Sequence, residues 1–478
     1  MKVALIHTPY YHQKHMENLS VTSNNFAVLP PMGPLYVSSI LKEEGHEVEV
    51  IDIKAEKLSR KQVFERIREF NPDIIGGLII PYTARIALEW YEDIKEEFGV
   101  PIMVGNHGMK QYPEAVMSNE CIDYGVTGSA LKAVPMLLEK LENGEEDLDE
   151  VPNLAYREDG EVKINYPDEN VEDLNKLPWP DRESINNNLY YSMASKKKPF
   201  TLLITSYGCM FQCDFCDMGS FGYSERSPED VVDEIEYLIN DLGIKEIDIF
   251  DRDFLINKER SLEIMDGIIE RGLDFRWTCR TRVDEVDRDT LEKMYESGCR
   301  LIMYGIESGN QDILDEEHKG ITLEQVEKAV KTTKEVGIQV LGFFIIGHKG
   351  ETEEKIRKTI DFAKSLPLDY AQFFKLSGKP GAKLYEDITD ELGYDYFEKL
   401  IKKEIDVHRL PRPWTDMSND ELESWVSKAY NEFYLRPSYL FRRALQIRSF
   451  HELNKLAKVG IKMVFTTFKN IFKGERNC

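Results

Sequence analysis

Residues 200–216 read FTLLITSYGCMFQCDFC and join an apolar run to a cluster of cysteines. The apolar, β-branched beginning predicts a buried strand. Cys209, Cys213 and Cys216 follow it within eight residues, at a C-x3-C-x2-C spacing. Three thiolates on one loop can hold three irons of a cubane iron–sulfur cluster and leave the fourth iron open. Structural zinc and three unrelated buried cysteines are the alternatives. Structural zinc normally takes four protein ligands, and no fourth Cys or His lies close in the sequence.

The cysteine stretch opens a second half of the chain in which strand-like and helical runs alternate. The predicted strands are 200–206, 245–250, 274–280, 300–306, 338–346 and 369–376. The predicted helices are 228–242, 258–271, 287–298, 322–336 and 351–365. Six strand–helix units are too few for an eightfold barrel, so we expect a partial, TIM-like (β/α)6 barrel. Chemistry on such a barrel collects at the carboxyl ends of the strands, where the cysteines lie.

The first 145 residues show an earlier alternation of the same kind. The predicted strands are 3–7, 48–53, 73–80, 101–105 and 122–126, with helices at 35–44, 61–70 and 84–98. This spacing predicts a doubly wound, Rossmann-like parallel sheet that binds ligands at its carboxyl edge. The predicted domains are therefore 1–145, a linker over 146–195 with a short hairpin at 154–164, a barrel over 196–400 and a helical region over 401–478.

The composition of the chain argues against several classes of protein. The chain has 478 residues, of which 42% are hydrophobic, and a net charge of −25, which argues against a nucleic-acid partner. Its longest apolar run, 341–347, is far short of the roughly 18 residues of a membrane span. The N-terminus turns polar too early for a signal peptide, and seven cysteines do not suggest a disulfide framework. We therefore expect a cytoplasmic α/β protein.

The cysteine motif, with Phe215 as the aromatic residue before Cys216, resembles the signature of the radical S-adenosylmethionine superfamily. The resemblance implies that the three cysteines bind a [4Fe–4S] cluster and that S-adenosylmethionine chelates the open iron. One electron, from a reductant such as flavodoxin or ferredoxin, then cleaves the sulfonium and yields a 5′-deoxyadenosyl radical. The cofactor carries the difficult chemistry, and the protein supplies placement and exclusion of water.

The resemblance continues at the ends of the later predicted strands. It implies contacts to S-adenosylmethionine from Tyr207 and Phe215 on the cysteine loop and from Asp251 and Asp253 in IFDRDF. Further positions that match are Arg282 in TRVDEVD, Glu307 and Ser308 in YGIESGN, and Gly347 and Gly350 in FFIIGHKGET. The ordinary interpretation of each is local, because acids after a strand often cap the next helix and Gly-x-x-Gly often makes a turn.

Residues 30–53, 71–89 and 101–114 resemble the cobalamin-binding domain that is fused to one branch of this superfamily. The resemblance implies corrinoid contacts from Gly33, Thr83, Gly105 and Gly128. There is no D-x-H-x-x-G motif, so we expect no histidine as a lower axial ligand, and we interpret His107 as a loop residue. The chain has Gly-Asn-His-Gly at 105–108 and Gly-Ser-Ala-Leu at 128–131 where the family usually has Gly-Gly-Pro-His and Gly-Glu-Gly-Glu. A domain that has lost its corrinoid is therefore the alternative.

The C-terminal residues 434–478 differ in charge from the rest of the chain. They hold ten Lys or Arg and two acids, a net charge of +8, which leaves −33 elsewhere. A helix docked on an acidic body is one interpretation; the other is a segment that binds anionic lipid peripherally, with its apolar side chains at the acyl boundary.

The sequence thus favours a cobalamin-dependent radical S-adenosylmethionine enzyme that methylates an unactivated carbon of a small-molecule or lipid-like substrate. The alternative within the same chemistry is cyclisation, coupling or rearrangement without methyl transfer. A non-catalytic metal-binding or electron-transfer module is the alternative from another class, but such a module needs neither nucleotide-binding strand ends nor a second sheet domain.

Overall fold

The computed structural model describes residues 1–9, 27–165, 173–192, 195–405 and 411–446, with the backbone alone for 442–446. By packing, these residues fall into two units. The first unit contains the described residues of 1–13, 28–277 and 378–413, and the second contains Ala27 and those of 278–377 and 414–446. Both units are discontinuous in sequence, and the domain limits expected above remain a prediction.

A seven-stranded sheet forms the framework of the first unit. Its strands are β1 (Lys2–His7), β2 (Glu47–Asp52), β3 (Ile74–Leu78), β4 (Ile102–Gly105), β5 (Tyr124–Val126), β6 (Leu154–Glu158) and β7 (Glu161–Ile164). The strand order is β2-β1-β3-β4-β5-β6-β7. The first five strands pair in parallel, and the hairpin β6–β7 adds to β5 in antiparallel fashion. The hairpin expected in the linker is therefore an edge of this sheet.

Helices cover both faces of this sheet. They are α1 (Met32–Glu43), α2 (Ile53–Glu56), α3 (Arg60–Phe70), α4 (Ala84–Phe98), α5 (His107–Gln111), α6 (Pro113–Met117) and α7 (Ala130–Asn143). Because side chains alternate along a strand, Val3 and Leu5 of β1 share one core with α1 and α7, whereas Ala4 and Ile6 share the other with α3 and α4. This arrangement confirms the doubly wound parallel sheet.

The second sheet has six strands in chain order. It contains β8 (Phe200–Leu203), β11 (Glu246–Ile249), β12 (Arg276–Thr281), β13 (Cys299–Glu307), β14 (Gln339–Ile346) and β15 (Tyr370–Lys375). β8 pairs with β11 in parallel, as do β13 with β14 and β14 with β15. The first unit contains β8 and β11, and the division between the units passes through β12. The six strands confirm the partial barrel, and a separate hairpin is formed by β9 (Ser206–Gly208) and β10 (Tyr223–Glu225).

Helices alternate with these strands and continue after them. The barrel helices are α8 (Pro228–Asn240), α9 (Lys258–Glu270), α10 (Arg288–Glu296), α11 (Gln311–Glu316), α12 (Leu323–Val336) and α13 (Glu353–Ser365). The later helices are α14 (Lys383–Leu392), α15 (Tyr396–Ile401), α16 (Asn419–Tyr434) and α17 (Pro437–Gln446). Helices α16 and α17 agree with the helical region expected beyond 400, and the rest of the basic tail lies outside the described residues. No helix among the described residues has the length and apolar character needed to cross a membrane.

Candidate active site

The loop that carries the three cysteines is closed at its base by the hairpin β9–β10. Gly208 pairs with Tyr223 in this hairpin, and the Cys209 amide donates to the Gly222 carbonyl at 3.1 Å. Gly208 has φ of +85°, and a Cβ atom there would lie 1.6 Å from the Gly222 carbonyl oxygen, so only glycine fits. The hairpin therefore fixes both ends of the cysteine loop.

Within the loop, the three thiols remain the predicted donor set for an iron–sulfur cube. The Cys216 amide donates to the Cys213 carbonyl at 2.9 Å, which makes a tight turn between these two cysteines. Cys213 is buried, and Cys209 and Cys216 are partly exposed. In the described part of the chain, no three His, Cys, Asp or Glu side chains lie close enough together to share a single metal ion. A cubane cluster does not require three ligands close to a single ion, because each cysteine binds a separate iron.

Two aspartates follow β11, as the sequence predicts. Asp251 is buried and accepts hydrogen bonds from the amides of Thr205 and Ser206 at 2.8 and 3.1 Å and from the Thr205 hydroxyl. Burial raises the pKa of Asp251, although these hydrogen bonds and the charge of Arg260 act against the rise. Asp253 is also buried, and its Oδ1 accepts from the Leu255 amide at 3.2 Å. Both carboxyl groups lie at the strand end where the resemblance places contacts to S-adenosylmethionine, and those contacts stay predictions.

In the second unit, the predicted residues after β12 and β13 are held by ion pairs and hydrogen bonds. Arg282 makes a bidentate pair with Asp284, with both N–O distances at 2.9 Å. Glu307, at φ of +66°, pairs with buried Lys319 at 3.0 Å. The Ser308 hydroxyl lies 3.3 Å from the Thr359 hydroxyl. These contacts fix the predicted ligand residues before any cofactor binds.

The glycines after β14 form a turn that is braced from two sides. Gly347 and Gly350 have φ of +95° and +62°, a region that favours glycine. The Gly347 amide donates to Glu351 at 2.6 Å, and its carbonyl accepts from the Trp414 indole at 2.8 Å. The local interpretation of Gly-x-x-Gly as a turn is therefore confirmed by the structure, and a contact to adenine remains a prediction.

Sequence reasoning missed a buried cluster of charged groups beside this turn. His348 Nδ1 lies 2.7 Å from Glu317, and both side chains are buried, as is Glu351. Burial alone would lower the pKa of His348, but the hydrogen bond to Glu317 and the charges of Glu351, Glu317 and Glu307 outweigh it and raise the pKa. The available signal was the pair of charged residues His348 and Glu351, which closely follow β14, but nothing local to Glu317, which directly follows α11, indicated that it would meet them.

In the first sheet, the four predicted corrinoid residues lie at or beside the carboxyl ends of strands. Thr83 follows β3, Gly105 ends β4 and Gly128 follows β5, while an added Cβ at Gly33 would lie 3.6 Å from Leu78 at the end of β3. Only at Gly128 is there no room for a side chain, because a Cβ would lie 2.5 Å from Asn153 Oδ1. The predicted residues are thus brought to one edge, and their contact with a corrinoid remains a prediction.

The edge of the first sheet packs directly against the cysteine loop. The ring of Phe221, near the end of that loop, lies 4.8 Å from the His107 ring and 6.1 Å from the Tyr207 ring. The Lys110 ammonium group lies 4.5 Å from the centre of the Phe221 ring. Burial lowers the pKa of His107, which favours a neutral imidazole in this contact. His107 packs on the cysteine loop and is the first residue of α5, so its interpretation as a loop residue was wrong. That it is not a cobalt ligand stays a prediction.

The segment 378–405 contacts both the sheet edge and the cysteine loop, which the sequence does not reveal. On the side of the sheet, Tyr82 and Gln111 donate to the carbonyls of Gly378 and Pro380 at 2.8 and 2.7 Å. On the side of the loop, the Leu384 amide donates to the Asp214 carbonyl at 2.9 Å. The first unit therefore contains the cysteine loop, the edge of the first sheet and a segment that bridges them.

Comparisons with known proteins agree with this architecture. Residues 203–363 match the family model of the radical SAM superfamily, and residues 21–138 match that of the B12 binding domain. An uncharacterized methyltransferase, PH0819, of Pyrococcus horikoshii is 34% identical over 88% of this chain and 91% of its own length. The anaerobic magnesium-protoporphyrin IX monomethyl ester cyclase of Rubrivivax gelatinosus is 28% identical over 92% of this chain and 78% of its own.

Two solved structures share the fold. The radical S-adenosylmethionine methyltransferase TsrM of Kitasatospora setae, with cobalamin and a [4Fe–4S] cluster bound, superposes with a TM-score of 0.63 at 21% identity. That match covers 81% of this chain and 75% of TsrM. The cobalamin-dependent radical enzyme OxsB gives a TM-score of 0.66 at 18% identity over 97% of this chain and 72% of its own.

A B12-binding sheet followed by a radical S-adenosylmethionine barrel defines the class of cobalamin-dependent radical enzymes. This chain belongs to the radical SAM superfamily, in the branch that carries an N-terminal B12-binding domain and includes methyltransferases. Its cofactors are a [4Fe–4S] cluster and S-adenosylmethionine in the barrel and cobalamin on the first sheet. The reaction requires a one-electron reductant and a substrate.

Proposed function

We propose that this enzyme transfers a methyl group to an unactivated carbon of a small-molecule or lipid-like substrate. The observation that carries the proposal is the contact between α5, at the edge of the B12-binding sheet, and the cysteine loop. Methyl transfer to such a carbon needs a methyl carrier beside a radical source. A contact between the two loops that would hold them supports this arrangement.

In the second sheet and its loops, we assign each predicted residue either to the cluster or to S-adenosylmethionine. Cys209, Cys213 and Cys216 would hold the cluster, and its open iron would bind S-adenosylmethionine and supply the radical chemistry. The side chains proposed to orient S-adenosylmethionine are Tyr207, Phe215, Asp253, Arg282, Glu307 and Ser308, with the backbone at Gly347 and Gly350. Glu307 is already paired with Lys319 at 3.0 Å, so its carboxylate is fixed and charge-balanced before the ligand arrives.

At the first sheet, small residues would leave room for the corrin ring. Gly33 and Gly105 place no side chain at the carboxyl edge, and Thr83 carries a hydroxyl there, whereas the missing Cβ of Gly128 leaves space that Asn153 fills. Cobalamin bound at this edge would act as the methyl carrier. The protein would supply a fixed surface for the ring and, through α5, a fixed position relative to the cysteine loop.

A specific observation favours a second candidate, radical cyclisation without methyl transfer. The Rubrivivax gelatinosus relative that matches 92% of this chain is named a cyclase. The products of S-adenosylmethionine distinguish the two candidates, because methyl transfer leaves S-adenosylhomocysteine whereas radical formation leaves 5′-deoxyadenosine. Cyclisation requires only the second product.

The test uses the full chain, reconstituted anaerobically with iron and sulfide, with or without hydroxocobalamin, and given S-adenosylmethionine and a reduced flavodoxin or ferredoxin. We expect both products when cobalamin is present and 5′-deoxyadenosine alone when it is left out. Cobalamin-loaded protein that forms 5′-deoxyadenosine but no S-adenosylhomocysteine would support the cyclase candidate instead.

We further propose that the C-terminal region contacts anionic membrane surfaces reversibly. The first turn of α17 is docked, since the Tyr439 hydroxyl donates to the Asp369 carbonyl at 3.0 Å. The next two side chains, Leu440 and Phe441, are 51% and 67% exposed. They are followed by most of the basic residues that give 434–478 a charge of +8. Exposed apolar side chains next to basic residues suit the interface of an anionic bilayer.

Vesicle co-sedimentation of the full chain tests this contact. We expect binding to vesicles that contain phosphatidylserine, weaker binding at high salt because of screening, and loss of binding in a Leu440→Ser, Phe441→Ser variant. Ile164→Ser, which alters an exposed apolar residue on β7, is the matched control. Equal sedimentation of the double variant and the unaltered chain would contradict a role for α17.

A further inference from the structure

The junction between β8 and the cysteine loop is held by a buried carboxylate. Asp251 is 1% exposed, and it binds the amides of both Thr205 and Ser206 and the hydroxyl of Thr205. Thr205 and Ser206 are themselves buried, and Ser206 lies three residues before Cys209. The carboxylate therefore holds the backbone at the point where the chain leaves the sheet to form the cysteine loop.

Two buried arginines hold the same backbone by its carbonyl groups. Arg260 Nη2 donates to the Thr205 carbonyl at 2.7 Å, and Arg226 Nη1 donates to the Ile204 carbonyl at 3.0 Å. Arg260 Nε also donates to the Arg226 carbonyl at 2.6 Å, which joins the two. Asp251 thus binds the N–H groups of two successive peptide units, and the two arginines bind the carbonyl groups of the same units.

This network is anchored to the helix that follows the cysteine hairpin. Glu234 of α8 is fully buried and pairs with Arg226 and with Arg182, the latter at 2.6 Å. Arg182 in turn donates to the Thr201 hydroxyl and the Leu202 carbonyl of β8. Buried charges are stable only when they are paired and hydrogen-bonded, so the members of the network hold one another in place.

These contacts leave Asp251 little freedom to bind a ligand. Turning its carboxylate toward S-adenosylmethionine would leave the amides of Thr205 and Ser206 buried without an acceptor, which is unfavourable. Burial also raises the pKa of Asp251, and its hydrogen bonds and the charge of Arg260 act against that rise.

We propose that Asp251 is a positioning residue that, with Arg260 and Arg226, fixes the cysteine loop for cluster binding, and that it does not contact the amino group of S-adenosylmethionine. This assignment differs from the ligand role that the family resemblance implies for Asp251. It rests on the proposal that Cys209, Cys213 and Cys216 hold the cluster.

The test compares Asp251→Ala with Asp251→Asn in the full chain after anaerobic reconstitution. Asparagine has the same shape, so its oxygen can accept from both amides and its nitrogen can donate to the Thr205 hydroxyl. Alanine can make none of these contacts. Two quantities are measured on cluster-loaded protein: the rate of iron release to a chelator and the affinity for S-adenosylmethionine by equilibrium dialysis.

We expect Asp251→Ala to release iron at least about tenfold faster than the unaltered chain, with an affinity for S-adenosylmethionine within about threefold. Asp251→Asn should restore slow release. Unchanged iron release in Asp251→Ala, with weaker binding of S-adenosylmethionine in both variants, would overturn the proposal in favour of the ligand role. Asp241→Ala, which removes an exposed carboxylate at the end of α8, should behave as the unaltered chain does.

A milder variant covers the case in which Asp251→Ala does not fold. Thr205→Val keeps the β-branched shape and removes one of the three hydrogen bonds to Asp251, so we expect iron release to rise a few-fold, about threefold. Release at the unaltered rate would overturn the proposal. An unaltered chain that takes up no cluster would overturn the cluster assignment and the role of Asp251 together, whereas a stable cluster in Asp251→Ala would overturn the role of Asp251 alone.

Discussion

Cys209, Cys213 and Cys216 are the side chains on which the radical chemistry depends, and their replacement is the most direct test of the site. We expect a triple Ala variant to lose the broad visible absorption of the cluster and all 5′-deoxyadenosine formation, because no other donor set replaces three thiolates on one loop. Cys121→Ala is the control. Burial raises the pKa of the Cys121 thiol to about 11, so it is protonated and a poor ligand. Retention of about four irons by the triple variant would contradict the assignment.

The buried side chain of His348 should make the stability of the fold depend on pH. Because its folded-state pKa is raised above the ordinary 6.5, its charged pair with Glu317 stabilises the fold fully below about pH 6.5. That stability is lost as pH rises through the folded-state pKa. Burial raises the pKa of Glu351 too, which acts in the same direction. The nearby ion pair between Glu307 and Lys319 is the same in the unaltered chain and in the variant described next.

The variant His348→Gln should therefore lower the free energy of unfolding by about 1.5–3 kcal/mol at pH 6 and by much less at pH 9. Denaturant unfolding at the two pH values measures the difference. His318→Asn is the control, because His318 is exposed and its φ of +50° is one that asparagine tolerates. An equal loss at both pH values would show that His348 acts through packing rather than charge.

Among the elements, α5 and the cysteine loop form the contact that should couple the two cofactors. Phe221→Ala removes the ring that packs on His107 and Lys110, at a cost of about 0.5–1.5 kcal/mol for the aromatic pair, which the fold should survive. We expect S-adenosylhomocysteine formation to fall about tenfold or more relative to 5′-deoxyadenosine, because radical formation does not need the first sheet. Phe374→Ala, at a half-exposed ring on β15, is the control, and an unchanged product ratio in Phe221→Ala would contradict the coupling.

Segment 378–405 shows why a local sequence pattern cannot predict where an element packs in the fold. Its helices α14 and α15 were not predicted individually, and the sequence does not indicate that α15 packs against α4 and α6. Ile401 of α15 enters the same core as Tyr91 and Met117, more than 280 residues earlier in the chain. Such a contact depends on which apolar surfaces remain uncovered once both sheets have formed, and that is a property of the assembled fold.

For the whole molecule, we expect cobalamin to bind without a histidine on cobalt. Electron paramagnetic resonance of the full chain loaded with cob(II)alamin should show no superhyperfine splitting from a nitrogen below the metal. The sequence lacks a D-x-H-x-x-G motif, and the His107 ring packs on Phe221. Free cob(II)alamin with its own base coordinated is the positive control for the splitting. Nitrogen splitting in the bound form that is lost in His107→Ala would contradict the prediction.

The sequence by itself determined the features that depend on residues close together in the chain. The spacing of Cys209, Cys213 and Cys216 indicated the cluster loop. The alternation of strand and helix patterns predicted the five parallel strands of the first sheet and the six strands of the second, each end to within about three residues. These features can be predicted because the side chains of a strand or a helix change direction with a fixed period along the chain. The cysteines of a cluster loop likewise lie only a few residues apart. The positive φ of Gly208, by contrast, has a reason only once the Gly222 carbonyl lies against it.

The tertiary structure alone decided which side chains meet across long stretches of chain. It paired Asp251 with Thr205, 46 residues earlier, and Glu317 with His348, 31 residues later. It also turned the hairpin at 154–164 into an edge of the first sheet. Each of these contacts satisfies a buried charge or an open strand edge, and whether a group is buried is fixed only when distant elements have packed around it.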